Sequence, residues 1–230
     1  MLSDLQNRFL DLLLESGALK FGEFKTKSGR TSPFFLNFGA FDHGAILRDV
    51  AKCYAGKILE FADNNSLKGL HLYGPAYKGI TLASAAAMEV ASMTGREVPF
   101  TFNRKEIKDH GEGGHFVGRA INQGSEVIIV EDVITGGTSI RETMSLMASS
   151  KAKLRGVVVG VDRMERGTGV QRASREIEVT FNVPVSAILT IEDIVSALWQ
   201  NGQPLQRLGK IWINSELKAN IEGYRKEWGG

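Results

Sequence analysis

The fold of this 230-residue chain is decided by the stretch VIIVEDVITGGTS, residues 127–139. Its first four residues are apolar and β-branched, which is typical of a strand buried on both faces of a parallel sheet. Two carboxylates, Glu131 and Asp132, follow, and a loop of threonine, glycine and serine then leads into a helical pattern. This order predicts a ligand site at the carboxyl edge of an α/β sheet.

Segments on either side of this stretch alternate between apolar runs and amphipathic helical patterns. Such alternation predicts βαβ units and an α/β fold, with a parallel-sheet core that has helices on both faces. A hairpin pattern at 21–37 and the helix before it predict a small N-terminal hood, 1–40, on a single domain that spans 1–230. The predicted strands are 70–73, 98–103, 127–130, 154–161 and 185–189, and the predicted helices are 3–16, 43–62, 79–94 and 139–149.

Charge and cysteine content exclude several classes of protein. Lys and Arg total 28 against 26 Asp and Glu, a net charge of +2, so neither a nucleic-acid nor a membrane partner is expected. The single cysteine, Cys53, has no partner for a disulfide or a zinc cluster, which fits a reducing compartment. The start has no signal-peptide pattern, and the chain has no apolar run long enough for a membrane span. We therefore expect a cytoplasmic protein with a local anion site.

The loop 135–139 has the features of a phosphate cradle. It presents backbone N–H groups, hydroxyls and the positive end of a helix dipole, and Gly136 and Gly137 let the backbone approach an anion closely. Glu131 and Asp132 would then lie about one sugar ring away. There they can accept hydrogen bonds from ribose hydroxyls or hold Mg²⁺ through water.

The helix after that loop is expected to begin at a capping box, in which Ser139 and Glu142 satisfy each other's backbone N–H groups. An ordinary capped helix after a buried strand would account for these two residues. It does not account for two adjacent acids and two glycines around the turn, which favours a binding site.

Three further segments each allow a structural and a functional interpretation. Residues 74–79, GPAYKG, form an ordinary strand-to-helix turn or an anion site with Lys78. Residues 162–167, DRMERG, form a charged exit loop or place Arg163 where it grips a carboxylate with two hydrogen bonds. Residues 27–36 form a plain hairpin or a hood over a flat ring.

The stretch 103–116 combines cations with three glycines and contains little that could pack in a core. Charged loops with glycine hinges at the rim of a site often act as lids, so a mobile catalytic loop is one interpretation. A solvated surface loop is the other, and the interspersed acids support it. The basic residues that would face a polyanionic ligand are Arg104, Lys105, Lys108 and His110.

Taken together, these segments resemble a known family. The stretch 127–139 is similar to the thirteen-residue phosphoribosyl pyrophosphate (PRPP) motif of type I phosphoribosyltransferases, and the other segments resemble, in the same order, those of its orotate-specific members. The resemblance runs from about residue 5 to residue 228. Two positions depart from the common pattern, since Glu131 stands where many members have Asp and Gly136 where many have Ala.

The resemblance implies transfer of ribose 5-phosphate from PRPP to orotate in pyrimidine biosynthesis, with Mg²⁺ held mainly by substrate oxygens and water. It also implies a homodimer in which the loop 104–115 reaches the neighbouring subunit's site. The implied catalytic residues are Lys108, Asp132, Lys105 and His110. The implied PRPP-binding residues are Lys27, Tyr77, Lys78, Arg104, Lys105, Lys108, His110, Glu131, Asp132, Val133, Ile134, Thr135, Gly136, Gly137, Thr138 and Ser139. The implied orotate-binding residues are Lys27, Phe35, Leu36, Thr135 and Arg163.

Two other functions stay open at this point. One is a phosphoribosyltransferase for another base, such as a purine, against which the hood and Arg163 argue. The other is a regulator that binds PRPP without catalysis. A regulator needs a nucleic-acid-binding module, and the sequence has neither a helix-turn-helix extension nor a basic stripe.

Overall fold

The computed structural model describes residues 1–26, 29–108, 114–150 and 152–230, and the side chains of 105–108, 114 and 149 lie outside that description. The strands are β1 (Leu19–Lys25), β2 (Thr31–Leu36), β3 (His71–Gly74), β4 (Phe100–Lys108), β5 (Gly114–Gly118), β6 (Glu126–Ile134), β7 (Lys153–Asp162), β8 (Val185–Thr190), β9 (Trp199–Gln200), β10 (Gln203–Pro204), β11 (Gln206–Arg207) and β12 (Lys210–Ile211).

The helices are α1 (Asp4–Glu15), α2 (Gly44–Asn64), α3 (Lys78–Thr94), α4 (Thr138–Met147), α5 (Ala173–Phe181), α6 (Ile191–Leu198) and α7 (Ser215–Trp228), with short 3-10 turns at Phe38–Ala40 and Ala148–Ser150. None of these described helices is long and apolar enough to cross a membrane. A location in the cytoplasm stays a prediction.

In the described part of the chain, a six-stranded sheet has the order β5-β4-β3-β6-β7-β8. Strands β4, β3, β6, β7 and β8 are parallel, and the edge strand β5 is antiparallel to β4. The order changes direction between β3 and β6, because β4 lies on one side of β3 while β6, β7 and β8 continue on the other. Ligands of open α/β sheets bind outside the carboxyl ends of the strands at such a switch point.

Strand β6 is buried on both faces. Val127 and Ile129 pack in a core with side chains of α4 and α5, whereas Ile128 and Val130 pack on the opposite face with α1, α2, α3, α6 and α7. All four residues are 0% exposed. The prediction of a central strand covered by helices on both sides is therefore confirmed.

The chain between β3 and β6 differs from the prediction. β4 does not end at Asn103 but continues to Lys108 and pairs with β5, with Asn103 opposite Phe116. Phe116 packs edge-on against Tyr73 of β3 at 5.9 Å, which anchors the returning strand. Most of the predicted loop is thus an antiparallel hairpin. Residues 109–113 lie outside the described residues, so the mobility of this segment stays a prediction.

The N-terminal hairpin forms as expected, as a two-stranded antiparallel sheet of β1 and β2 that is separate from the main sheet. Its turn residues 27–28 lie outside the described residues. Phe34 of β2 packs edge-on against Tyr224 of α7, with ring centroids 5.9 Å apart. This contact attaches the hood to the last helix of the chain.

Gly160 in β7 leaves room for two aromatic side chains, one from the 3-10 turn after β2 and one from α2. A Cβ atom at this position would lie 2.5 Å from both a ring carbon of Phe38 and the hydroxyl of Tyr54. That hydroxyl donates a hydrogen bond to the carbonyl oxygen of Glu131 at 2.8 Å. The close approach therefore holds the end of β6 in place.

We expect Gly160→Ala to lower the free energy of unfolding by about 1–3 kcal/mol, because overpacking forces the two rings to move. Urea unfolding of the variant and the wild type measures the difference. Gly223→Ala in α7 is the matched control, since no heavy atom would lie within 4 Å of its new Cβ. The control should be neutral or gain up to about 1 kcal/mol from helix propensity. Equal stability of Gly160→Ala and wild type would contradict the packing argument.

Candidate functional site

The loops after β3 and β6 meet at the switch point, and an ion pair spans the crevice between them. Lys78 begins α3, and its Nζ lies 2.9 Å from Oδ2 of Asp132 near the end of β6. The Asp132 side chain is 14% exposed, whereas that of Lys78 is 46% exposed. The anionic partner is thus sheltered and the cationic partner is accessible to a ligand.

The loop after β3 is packed too closely for a side chain at either of its glycines. A Cβ atom on Gly74 would lie 2.0 Å from the carbonyl oxygen of Gly79, and one on Gly79 would lie 3.0 Å from that of Val130. Asn103 accepts a hydrogen bond from the backbone N–H of Ala76 at 2.8 Å. The loop is therefore held between β4 and β6, beside the exposed Tyr77.

Glu131 is a buried acid inside the site, with 6% of its surface exposed. Its Oε2 accepts a hydrogen bond from Ser139 Oγ at 2.6 Å, and its Oε1 accepts one from the backbone N–H of Asp132 at 3.0 Å. Burial raises the pKa of Glu131 to about 7, and the adjacent Asp132 carboxylate adds to the rise. Both protonation states of this carboxyl are therefore populated near neutral pH.

The loop after β6 lines a cavity of about 220 Å³ together with Glu131 and Val133. Helix α4 begins at Thr138 after Gly137, and no side chain of the described residues caps this end. Gly137 has φ +76°, and a Cβ atom there would lie 2.8 Å from Ile177 Cδ1, so the position requires glycine. The uncapped first turn leaves backbone N–H groups for an anion.

The predicted capping box between Ser139 and Glu142 is wrong. Helix α4 starts two residues earlier than that box requires, with Gly137 instead of Ser139 at its N-cap. The Ser139 hydroxyl donates to Glu131 instead of satisfying the helix end. The cause is tertiary, because a buried acid from the preceding strand competes for the hydroxyl and the left-handed glycine makes the turn without a side chain.

Two residues that the sequence did not single out hold the cavity loop from behind. Arg141 Nη1 donates to the carbonyl oxygen of Gly136 at 2.5 Å, and its Nη2 pairs with Glu176. Glu176 also accepts the backbone N–H groups of Thr168 at 2.9 Å and Gly169 at 2.6 Å. These bonds, that of Thr168 most, lower the pKa of Glu176. No sequence signal links two residues 35 positions apart.

Arg163 lies at the end of β7, buried to 7% exposure. Its backbone N–H donates to the carbonyl oxygen of Ile134 at 3.2 Å, which places it beside the end of β6. Its Nε donates to Glu165 at 2.7 Å, and its Nη2 donates to Ser32 Oγ at 3.0 Å. The guanidinium carbon lies 4.5 Å from the ring centroid of Phe34. The sequence had not singled out Ser32, Phe34 or Glu165 as partners.

The apolar residues predicted at the site differ in accessibility. Phe35 is 43% exposed and stacks on Phe24, with ring centroids 5.4 Å apart. Leu36 and Ile134 are buried in the two cores, so they can reach a ligand only through their backbone. Thr135 and Thr138 are exposed at the cavity.

The basic residues predicted to meet pyrophosphate are described only in part. Arg104 is half-buried in β4, directly after the Asn103 that holds the β3 loop. Lys27 and His110 lie outside the described residues, as do the side chains of Lys105 and Lys108. β4 runs parallel to β3, with Phe102 opposite Gly74, so the residues of β4 after Phe102 extend beyond the carboxyl end of β3, the edge at which Lys78 and Asp132 meet.

Comparison with known proteins gives a consistent result. The phosphoribosyl transferase domain family matches residues 41–188. The orotate phosphoribosyltransferase of Lachnoclostridium phytofermentans is 42% identical over 225 residues, which cover 97% of each chain, and that of Laribacter hongkongensis is 42% identical and covers 99% of each. The crystal structure of orotate phosphoribosyltransferase from Francisella tularensis has a TM-score of 0.77 at 33% identity, and the match covers 96% of this chain and 99% of that one.

We expect Glu131→Gln to remove a pH dependence of stability. The pKa of Glu131 is raised in the folded chain from its ordinary 4.5, so between pH 4.5 and about 7 the folded state binds more protons than the unfolded state. Wild-type stability therefore falls as pH rises through this window, whereas an amide cannot ionise. Between pH 4.5 and 8, the free energy of unfolding of the wild type should therefore fall by about 1–3 kcal/mol more than that of the variant. Urea unfolding at several pH values measures this, and a constant difference would contradict the raised pKa.

Proposed function

The chain belongs to the orotate phosphoribosyltransferase family, and from that membership we propose which of its residues carry out the family's reaction. The reaction transfers ribose 5-phosphate from PRPP to orotate and yields orotidine 5′-monophosphate and pyrophosphate, a step of pyrimidine biosynthesis. One observation carries the proposal: two carboxylates at the end of β6 directly precede an uncapped helix turn that lines a small cavity.

We assign the 5′-phosphate of PRPP to the cavity lined by the loop after β6. Backbone N–H groups from Thr135 to Ser139, the exposed threonine hydroxyls and the helix dipole provide donors and a partial positive charge there. The ribose hydroxyls then reach Glu131 and Asp132. Because Glu131 is longer than aspartate but is drawn back by Ser139, we expect Asp132 to make the closer ribose contact.

The charges of the site fit the charges that develop in the reaction. Breaking the bond between the ribose and the pyrophosphate builds positive charge on the sugar and negative charge on the leaving group. Asp132 offers a carboxylate for the first and its ion-pair partner Lys78 an ammonium for the second. Orotate is already an anion, so no strong base is required, and positioning supplies much of the rate.

We propose that Tyr77 and the basic side chains of the β4–β5 hairpin complete the pyrophosphate site. Tyr77 is 67% exposed next to Lys78, and Asn103 connects its loop to the start of the basic segment. Closure of this segment would exclude water, which otherwise hydrolyses PRPP. The residues assigned to it are Arg104, Lys105, Lys108 and His110.

The donor set at the end of β6 fits a hard cation that takes most of its ligands from substrate and water. Glu131 and Asp132 supply carboxylate oxygens, while the described residues contain no group of three or more acidic, His or Cys side chains that could hold a metal ion. We therefore propose that Mg²⁺ is bound mainly by pyrophosphate oxygens and water near these two carboxylates. Its contribution when bound is to neutralise charge on the pyrophosphate.

We propose that orotate binds between the hood and the end of β7. Phe35 offers an exposed aromatic face for the flat ring, and Arg163 offers a guanidinium for the carboxylate. Thr135 directly follows β6 and Leu36 ends β2, and we assign Lys27, which lies outside the described residues, to the same site. The buried position of Arg163 beside Ile134 supports this assignment.

A homodimer is part of the proposal. Helix α3 begins at the site and carries exposed apolar side chains, of which Met88 is 71% and Met93 56% exposed. Exposed apolar side chains gathered on one helix are typical of an interaction surface. We propose that the partner subunit covers these exposed side chains of α3, and that the loop 104–115 of each chain reaches the neighbouring site.

The test of the function is direct. The protein is incubated with PRPP, Mg²⁺ and one of orotate, uracil, adenine or hypoxanthine, and the absorbance of the base is followed. We expect PRPP-dependent consumption of orotate. Consumption of a purine instead would favour the enzyme for another base, and PRPP binding without turnover of any base would favour a regulator.

We expect Arg163→Lys to weaken orotate binding by about 1–3 kcal/mol and to leave PRPP binding nearly unchanged, because an ammonium cannot contact Glu165 and Ser32 as the planar guanidinium does while it donates to a carboxylate. Calorimetric titration with each substrate separates the two affinities. An equal loss for both substrates would show that Arg163 acts on the fold of the site rather than on orotate.

Mixed dimers test the shared site. Lys108→Ala and Asp132→Asn homodimers should each be nearly inactive. If the loop acts across the interface, a mixed dimer collects both defects in one site and none in the other, so random subunit exchange should restore roughly a quarter of wild-type activity. Mass spectrometry confirms the exchange. Confirmed exchange without recovered activity would assign the loop to its own chain's site.

A further inference from the structure

A buried cluster of charged residues lies behind the proposed orotate site. It consists of Glu165, Arg163, Arg30, Tyr224 and Ser32, and we call it the Glu165 cluster. Glu165 is 3% exposed, and its Oε1 accepts hydrogen bonds from Arg163 Nε at 2.7 Å and from the hydroxyl of Tyr224 at 2.9 Å. Its Oε2 lies 3.5 Å from Arg30 Nη1. One carboxylate thus holds side chains from the residue before β2, the β7 exit and α7.

The charges of the Glu165 cluster do not cancel. Two guanidinium groups face a single carboxylate, which leaves an excess of one positive charge at a place where the Arg163 side chain is 7% and the Arg30 side chain 26% exposed. A buried excess charge is costly unless a ligand of opposite sign completes it. An anionic ligand at Arg163 would do so.

The orientation of the Arg163 guanidinium is restricted on several sides. Phe34 lies 4.5 Å from its carbon, and the contacts to Glu165 and Ser32 are made through Nε and Nη2. Tyr224 supports two of these neighbours: its ring packs edge-on against Phe34, and its hydroxyl donates to Glu165. Burial raises the pKa of Tyr224, so its hydroxyl stays protonated and remains a donor.

The backbone that carries Glu165 is itself anchored. The N–H of Arg166 donates to the carbonyl oxygen of Trp228 at 2.9 Å, and the N–H of Gly230 donates to that of Met164 at 3.2 Å. The carbonyl oxygen of Glu165 accepts the N–H of Ala173 at 2.9 Å. Helices α5 and α7 therefore fix the position from which Glu165 reaches Arg163.

From this geometry we propose that Glu165 is a positioning residue, which holds Arg163 oriented toward the carboxylate of orotate while Tyr224 holds Glu165 in place. The inference rests on the orotate role proposed for Arg163. A guanidinium that is already oriented loses less conformational freedom when it binds a carboxylate. Ligands with the carboxylate therefore bind more tightly, and the selectivity over ligands without it is higher. The last helix of the chain thereby contributes to substrate choice without contacting the substrate.

The experiment compares two nucleotides that differ only in the carboxylate. Orotidine 5′-monophosphate carries it and uridine 5′-monophosphate lacks it, while both fill the phosphate and ribose sites. Their dissociation constants are measured by calorimetry for the wild type and for Glu165→Gln, and the ratio of the two constants is the selectivity for the carboxylate. We expect this selectivity to fall about tenfold in the variant, with less than a twofold change in uridine 5′-monophosphate binding.

Glu192→Gln is the matched control. Glu192 of α6 pairs with Arg225 of α7, the helix that also carries Tyr224, and neither residue contacts Glu165 among the described bonds; the Glu192 side chain is 55% exposed. Glu192→Gln removes an ion pair of α7 and changes the side-chain charge by the same amount as Glu165→Gln. We expect the control to keep the wild-type selectivity, and an equal loss in both variants would mean that any weakening of α7 lowers selectivity, which would overturn the positioning role.

A second variant keeps the proposal testable if Glu165→Gln fails to fold. Tyr224→Phe removes one hydrogen bond to Glu165 and leaves all three charges, and we expect it to lower the selectivity about two- to threefold. Unchanged selectivity in every variant of Glu165 and Tyr224 that folds would overturn the inference. Arg163→Ala separates this outcome from failure of the proposed function: if Arg163 binds the orotate carboxylate, that variant loses the selectivity whether or not Glu165 positions it.

Discussion

Burial of β6 on both faces is the constraint on which the site depends. Its apolar side chains face two separate cores, so the strand carries polar groups only outside the run 127–130. Glu131 and Asp132 stand toward its carboxyl end, and the cavity of about 220 Å³ follows directly. Pairing with β3 on one side and β7 on the other then brings Lys78 and Arg163 to the same edge of the sheet.

The two adjacent carboxyls at this edge have different environments because successive side chains of a strand point to opposite faces. Glu131 is buried, bonded to Ser139 and raised in pKa to about 7, whereas Asp132 pairs with Lys78 across the crevice. The raised pKa favours the neutral form of Glu131 more than that of an ordinary glutamate. In the proposed function, this lowers the electrostatic cost of bringing a pyrophosphate and an anionic base to the same small space.

Acid–base pairs hold both ends of the site from behind. Arg141 and Glu176 support the carbonyl of Gly136 at the cavity, and Glu165 supports Arg163 at the β7 exit. Both carboxylates come after β7 in the chain, since Glu165 follows its end and Glu176 lies in α5. In the proposed function, the chain after β7 therefore acts on substrate geometry through groups that do not touch the substrate.

The sequence by itself determined the sheet, the switch-point loops and the acidic pair, because runs such as Val157-Val158-Val159 and the glycine loop at 135–139 encode these features in adjacent residues. It did not determine how the loop is supported. Ser139 donates a hydrogen bond to Glu131 instead of capping α4, and Arg141 pairs with Glu176, which lies 35 positions further along the chain. Nor did it reveal that Glu165, Tyr224 and Ser32 surround Arg163. Those contacts were decided by the tertiary structure, because buried charges select partners by position in space and not by distance along the chain.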